Sequence, residues 1–138
     1  MLEVGILNSK IASLLAHCGH MDEIIVCDAG FPIPLEIETI DLAVKENHPA
    51  VREVLEVLLQ YFSVEKIIIA DETRLHSPSH FKQIVDLFGP NVALETTPHT
   101  ELKQRSHGVK GIIRTGDFTA YGNILLVSGS GDRWYAEK

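Results

Sequence analysis

With 138 residues, 45% of them hydrophobic and 22% charged, the chain is long enough to bury a core without disulfides or a structural metal. Its net charge of −7, with no Lys/Arg cluster to offset it, argues against nucleic acid and anionic membranes as partners. No apolar run approaches the ~20 residues of a membrane span, Met1 to Ser9 lack a basic n-region, and Cys18 and Cys27 sit among apolar neighbours as reduced thiols do. A cytoplasmic protein with one domain over residues 1–138 is expected.

Ile11, Leu14, Leu15 and Cys18 recur at helical spacing across residues 9–18, with Asn8 or Ser9 as N-cap and Gly19 as the stop. The unbroken apolar run Ile24 to Cys27 has the pattern of a strand buried on both faces. Phe31-Pro32-Ile33-Pro34 is a stiff loop, either the wall of a pocket or a tight connection. Residues 37–44 read as a second strand containing Asp41. Asn47-His48-Pro49 opens a helix with proline at its first position, and Val51, Val54, Leu55, Leu58 and Phe62 form its buried stripe. Ile67 to Ala70 is a buried strand ending at Asp71-Glu72. Ser77-Pro78 opens a helix buried through Phe81, Ile84, Val85 and Phe88, and Gly89-Pro90 ends it. A short strand over residues 92–94 follows. Thr97-Pro98-His99-Thr100 then leads into a short helix over 102–106, and strands at 109–114 and 124–128 close the pattern. Strands and helices alternate, which predicts an α/β class with a mostly parallel sheet.

Four places could carry chemistry. His20 follows a helix C-terminus, where the macrodipole favours a protonated ring, and imidazole changes charge near neutral pH. It is either a general acid–base group or a capping surface histidine. Asp28 ends a buried strand ahead of Ala29-Gly30. Its carboxylate must find donors there, either loop N–H groups or ligand hydroxyls. Ligands of open α/β sheets collect at such strand exits. His20 precedes that strand, so it shares a site with Asp28 only if the chain folds back or a neighbouring subunit completes the site. His99 stands at a helix start, able to meet a ligand or only solvent. Tyr121-Gly122-Asn123 joins a phenol, a close-approach glycine and an amide ahead of the last strand, and also makes an ordinary turn.

Seven histidines raise the question of a metal. His76 and His80 are four apart, but Ser77-Pro78 falls between them. There is no HExxH pattern and no paired-cysteine spacing. Gly-rich phosphate loops and a GxSxG elbow are also missing. Cofactor-free chemistry, or simple binding, is the expectation.

Taken together, Gly5-Ile6-Leu7-Asn8-Ser9, Gly19-His20 with Asp22, Cys27-Asp28-Ala29-Gly30 with Pro32-Ile33-Pro34, Ile40-Asp41, Val64-Glu65, His99 with Lys103, Ile113-Arg114-Thr115-Gly116 and Tyr121-Gly122-Asn123-Ile124 resemble the D-ribose pyranase branch of the RbsD/FucU sugar-mutarotase family. The likeness runs in order from residue 5 to about residue 129. It implies a three-layer α/β/α fold with a mostly parallel, mixed sheet, and no cofactor. It implies homo-oligomeric rings, commonly decamers of two stacked pentamers, with sites at subunit contacts. Residue by residue, His20 falls on the family's proton donor, and Asp28, His99, Tyr121, Gly122 and Asn123 on its sugar-binding positions. The implied reaction is interconversion of the β-pyranose and β-furanose forms of D-ribose by general acid–base ring opening and closing. Alternatives are an anomer mutarotase for L-fucose or another monosaccharide, a non-catalytic sugar-binding accessory, and, more remotely, a metal-dependent hydrolase. Departures are Gly122, the fucose branch's residue at that place, Phe31 in place of leucine, and a polar tail from about residue 129 that carries Trp134 and Tyr135.

Overall fold

Strands whose residues alternate between two apolar faces need cover on both sides, and that requirement shapes the chain. The computed structural model describes all residues, Met1–Lys138. It contains strands β1 (Glu23–Cys27), β2 (Thr39–Asp41), β3 (Val64–Ala70), β4 (Ala93–Thr97), β5 (Gly111–Arg114) and β6 (Ile124–Ser128). The helices are α1 (Ser9–His17), α2 (Val51–Leu58), α3 (Asp71–His76), α4 (Pro78–Val85) and α5 (His99–Arg105). Ile24 and Val26 of β1, Ile67 and Ile69 of β3, and Ile124 and Leu126 of β6 face one side and pack with the apolar stripes of α1, α2 and α4. Ile25, Cys27, Ile68, Leu125 and Val127 face the other side, covered by Leu102 of α5 and by Phe31. The result is the expected three-layer α/β/α arrangement.

The six strands run in the order β2-β5-β1-β6-β3-β4. All neighbours are parallel except β6, which is antiparallel to both β1 and β3. The sheet is therefore mixed, and the direction of β6 decides where the site lies. The segment that precedes β6 arrives at the same end of the sheet as the segments that follow the parallel strands.

Several local expectations are corrected. Asn8 alone caps α1, accepting from Lys10 N–H and Ile11 N–H at 3.0 Å each. Gly19 does not close α1 in a left-handed turn; Cys18 is the C-cap, and the Asp22 carboxylate takes the Gly19 N–H at 2.7 Å. The second strand shrinks to Thr39–Asp41, because beyond it the backbone turns back on itself through Val44 N–H to His48 C=O. Helix α2 begins at Val51 with Ala50 as N-cap, so Pro49 lies outside it. Alanine offers no side-chain acceptor, and the Asp117 carboxylate arrives from a distant loop to take the Val51 N–H at 2.9 Å. Helix α3 has no counterpart in the sequence reading.

Candidate functional site

The exits of β1 and β4 and the approach to β6 meet at one end of the sheet, and they carry Asp28, His99 and Tyr121-Gly122-Asn123. Asp28 N–H donates to Asn123 Oδ1 at 2.8 Å. That contact orients the amide: its oxygen faces Asp28, so its NH2 faces His99 Nε2, 3.3 Å away. His99 Nε2 is then the acceptor and its proton sits on Nδ1. The ring is held edge-on between Phe31 and Tyr121, with centroids at 6.0 Å and 5.1 Å. The bulk of Phe31 is thus spent on fixing His99.

The contacts of Asp28 are those of the loop N–H reading, with acceptor capacity left over. Its Oδ1 accepts from Gly30 N–H at 2.9 Å, closing an Asx-turn, and its Oδ2 accepts from Gly122 N–H at 3.2 Å. Each oxygen keeps a second acceptor site. Beside it lies a cleft of about 370 Å³ lined by Asp28, Ala29, Gly30 and the loop Asp117–Ala120. A carboxylate pinned by backbone donors, with acceptor capacity left over, suits a polyhydroxylated ligand.

Residues that the sequence reading did not assign to the site hold this end together. The Thr73 hydroxyl donates to Tyr121 C=O at 2.5 Å and the Ser77 hydroxyl to Ala120 C=O at 2.8 Å. Those bonds support Tyr121 at φ 57°, a left-handed conformation that costs a non-glycine residue roughly 1–2 kcal/mol. Glu72 accepts the His99 N–H at 2.7 Å. His80 Nε2–H donates to Gly122 C=O at 3.2 Å, and the His76 ring lies 5.6 Å from that of Tyr121. The two histidines weighed as a metal pair are thus engaged with the Tyr121-Gly122 segment. Arg114 chelates Asp41 at 3.0 and 2.9 Å and donates to Ala29 C=O, fixing the loop beside Asp28. The sequence signal for α3 was available: Asp71 and Glu72 in a first turn, Arg74 and His76 in a last one.

Gly122 is tied to this chain's own packing. A Cβ there would lie 2.9 Å from Thr119 C=O and 3.2 Å from His80 Nε2, so alanine would need both neighbours to move.

Burial, and then Lys103, push His99 below the ordinary imidazole range, against the opposing pull of Glu72 and Asp28. At neutral pH the ring is therefore uncharged, as its acceptor role requires. In proton NMR, the His99 ring should titrate below the free-imidazole value near 6.5, and Lys103→Gln should move the midpoint up. A group titrating lower in the folded chain supports the fold fully above its unfolded pKa. That support is lost as pH falls through the folded value. Burial also pushes the Cys27 thiol up to about 12, with Asp28 adding to it, so Cys27 is inert at neutral pH.

His20 does not join this group. It precedes β1, whose five residues span roughly 16 Å, and it lies at the opposite end of the sheet. There its Nε2 meets Glu65 Oε2 at 2.8 Å. A second cavity, about 530 Å³, is lined there by His20, Tyr61, Phe62, Ser128 and Trp134 among others. The chain does not fold back to unite His20 with Asp28.

The profile of the RbsD / FucU transport protein family matches residues 1–130. The chain belongs to that family. A D-ribose pyranase of Thermotoga maritima is 42% identical over 132 residues, covering 94% of this chain and 98% of the relative. One from Lactobacillus gasseri is 43% identical over 129 residues, with the same coverage. The structure of Bacillus subtilis RbsD complexed with D-ribose superposes with a TM-score of 0.90 at 38% identity, covering 95% of this chain and 99% of that one. The Streptococcus pneumoniae fucose mutarotase in complex with L-fucose has a TM-score of 0.72 at 19% identity, covering 91% and 94%, a likeness of fold. No helix is long and apolar enough to cross a membrane.

Proposed function

We propose that this protein interconverts the β-pyranose and β-furanose forms of D-ribose, as a cofactor-free sugar isomerase. The observation that carries the reading is the cluster of Asp28, His99, Tyr121 and Asn123, fixed by hydrogen bonds through Asn123 and by the ring contact of Tyr121 with His99, in a chain 42% identical to D-ribose pyranases. Ring opening needs a proton delivered to the ring oxygen and one removed from the anomeric hydroxyl. Reclosure through a different hydroxyl changes the ring size. His20 is assigned the proton donation. Asp28 accepts from sugar hydroxyls, the His99 Nδ1–H donates, and Tyr121 and Asn123 supply a phenol and an amide, with Gly122 letting the backbone approach.

Because His20 lies at the far end of its own sheet, the complete site is assigned to two chains of a homo-oligomeric ring, a decamer of two pentamers being the proposed form. One chain supplies His20 and its neighbour the Asp28 cluster. General acid–base catalysis of this kind contributes about 10²–10⁴-fold, a scale suited to a reaction that already proceeds in water. Saturation-transfer NMR on equilibrated D-ribose tests it. Faster pyranose–furanose exchange with the protein, lost in His20→Ala, is the expected result. Acceleration confined to L-fucose would transfer the reading to anomer mutarotation. Saturable ribose binding with no acceleration would make the protein a sugar-binding accessory.

A further inference from the structure

The His20 end of the sheet is more ordered than a surface histidine requires. Gly19 N–H is taken by Asp22, Met21 N–H donates to Ser128 C=O at 2.7 Å, and Ser128 N–H donates to Asp22 C=O at 2.8 Å. The backbone on both sides of His20 is thereby stitched to the end of β6. The imidazole is then gripped from a third element, because Glu65 near the start of β3 meets Nε2 at 2.8 Å across 45 positions of sequence. Glu65 is itself wedged: a Cβ on Gly129 would lie 2.5 Å from both Glu65 Cβ and Oε2. The carboxylate can stand where it does because position 129 has no side chain.

An ion pair with side chains 64% and 36% exposed adds little to folding stability. Its consequence is chemical. A carboxylate accepts, so the contact places a proton on Nε2 and turns Nδ1 outward. We infer that Glu65 is a positioning residue that holds His20 with Nε2–H on its carboxylate, so that Nδ1 is the atom that gives the proton to the sugar. The charge on Glu65 also offsets that of the doubly protonated ring, and the sugar takes the Nδ1 proton while Nε2–H stays on the carboxylate. The role is that of an orienting acid behind a catalytic histidine, met here on surface elements that a neighbouring chain covers in the proposed ring. This inference rests on the assignment of His20 as donor.

Two measurements test it. The first needs no sugar: nitrogen-15 NMR of the His20 ring in its neutral form, at about pH 8.5. The wild type should show the Nε2–H tautomer, and Glu65→Ala a mixture, with unchanged far-UV circular dichroism. A His20 ring carrying its neutral-form proton mainly on Nδ1 in the wild type would overturn the inference, whatever the protein does to ribose. The second is ribose exchange kinetics. Glu65→Gln, which keeps an acceptor but loses the charge, and Glu65→Ala should each lower kcat, the alanine by tenfold or more, with KM within about twofold. Unchanged kcat in both, in a wild type that accelerates exchange, would remove Glu65 from the mechanism. A wild type with no acceleration would instead refute the functional reading and leave the tautomer result standing.

Discussion

Mixing two inactive variants should restore activity. His20→Ala removes the proposed proton donor at one end of the sheet, and Asn123→Ala removes the amide that links Asp28 to His99 at the other. Each homogeneous variant should lose most of the ~10²–10⁴-fold acceleration available to acid–base catalysis. If a site takes His20 from one chain and the Asp28 cluster from the next, random co-assembly leaves roughly a quarter of the contacts with both halves intact. Activity should therefore rise by about 25-fold to about 2,500-fold above either variant alone after co-refolding or subunit exchange. The reason lies in the topology. The strand β1 runs from the His20 loop to Asp28, and its fully buried residues Ile24, Ile25, Val26 and Cys27 fix that separation. No side-chain motion closes such a gap. Mixtures that stay as inactive as their components, under conditions where mass spectrometry shows mixed oligomers, would place the whole reaction within one chain.

Part of the candidate site is legible in the sequence for a physical reason: polar residues at the exits of buried strands have nowhere to go but the sheet's end. Asp28 after Cys27 follows that logic directly, whereas His99 is read from its helix start, because β4 buries none of its residues and its exit at Thr97 leaves no such mark. Tyr121-Gly122-Asn123 does not follow it either, because it precedes its strand. It reaches the same end only because β6 runs antiparallel, and strand direction leaves no local pattern in Ile-Leu-Leu-Val-Ser. The separation of His20 from Asp28 was readable as a condition, and the topology resolves it against a fold-back. Helix α3 carries the end charges of a helix but neither of the stronger signals, since Ala70 provides no cap and its six residues, Asp71 to His76, bury only Thr73. Its importance is tertiary: Glu72 and Thr73 support His99 and Tyr121. The same limit applies to α2, whose N-terminal partner lies 66 residues away at Asp117. Pro49 beside a helical stripe looked like a helix start because local rules cannot see a cap that comes from another loop.

Asp117→Ala should be among the most destabilising single changes in the molecule, and should disturb the site as well. The side chain is 4% exposed and makes two backbone contacts, accepting from Val51 N–H at 2.9 Å and from Thr119 N–H at 2.8 Å. The first caps α2, whose apolar stripe includes the buried Val51, Leu55 and Leu58. Loss of this cap leaves the buried Val51 N–H without a partner, which costs about 1–3 kcal/mol, and the part-buried Thr119 N–H loses its acceptor as well, at about 1 kcal/mol. A total near 3 kcal/mol corresponds to a fall in Tm of roughly 10 °C for a chain of this size, at matched protein concentration. The main chain of Asp117 also accepts the Ala29 N–H at 2.9 Å, so the loop that moves is a wall of the Asp28 cleft. Burial alone would raise the Asp117 carboxyl, but the N–H groups of Thr119 and Val51, helped by His80, hold it below the ordinary carboxylate range. A carboxyl depressed by folding stabilises the native state above its unfolded pKa near 3.9 and loses that contribution only as pH falls through the folded value. The gap between wild type and Asp117→Ala should therefore be constant from neutral pH down to about 4 and narrow below it, as measured by urea denaturation across that range. Asp117→Asn, which keeps an oxygen for one of the two N–H donors, should fall between them. A gap that closed well above pH 4 would mean that some group other than the Asp117 carboxylate holds the start of α2.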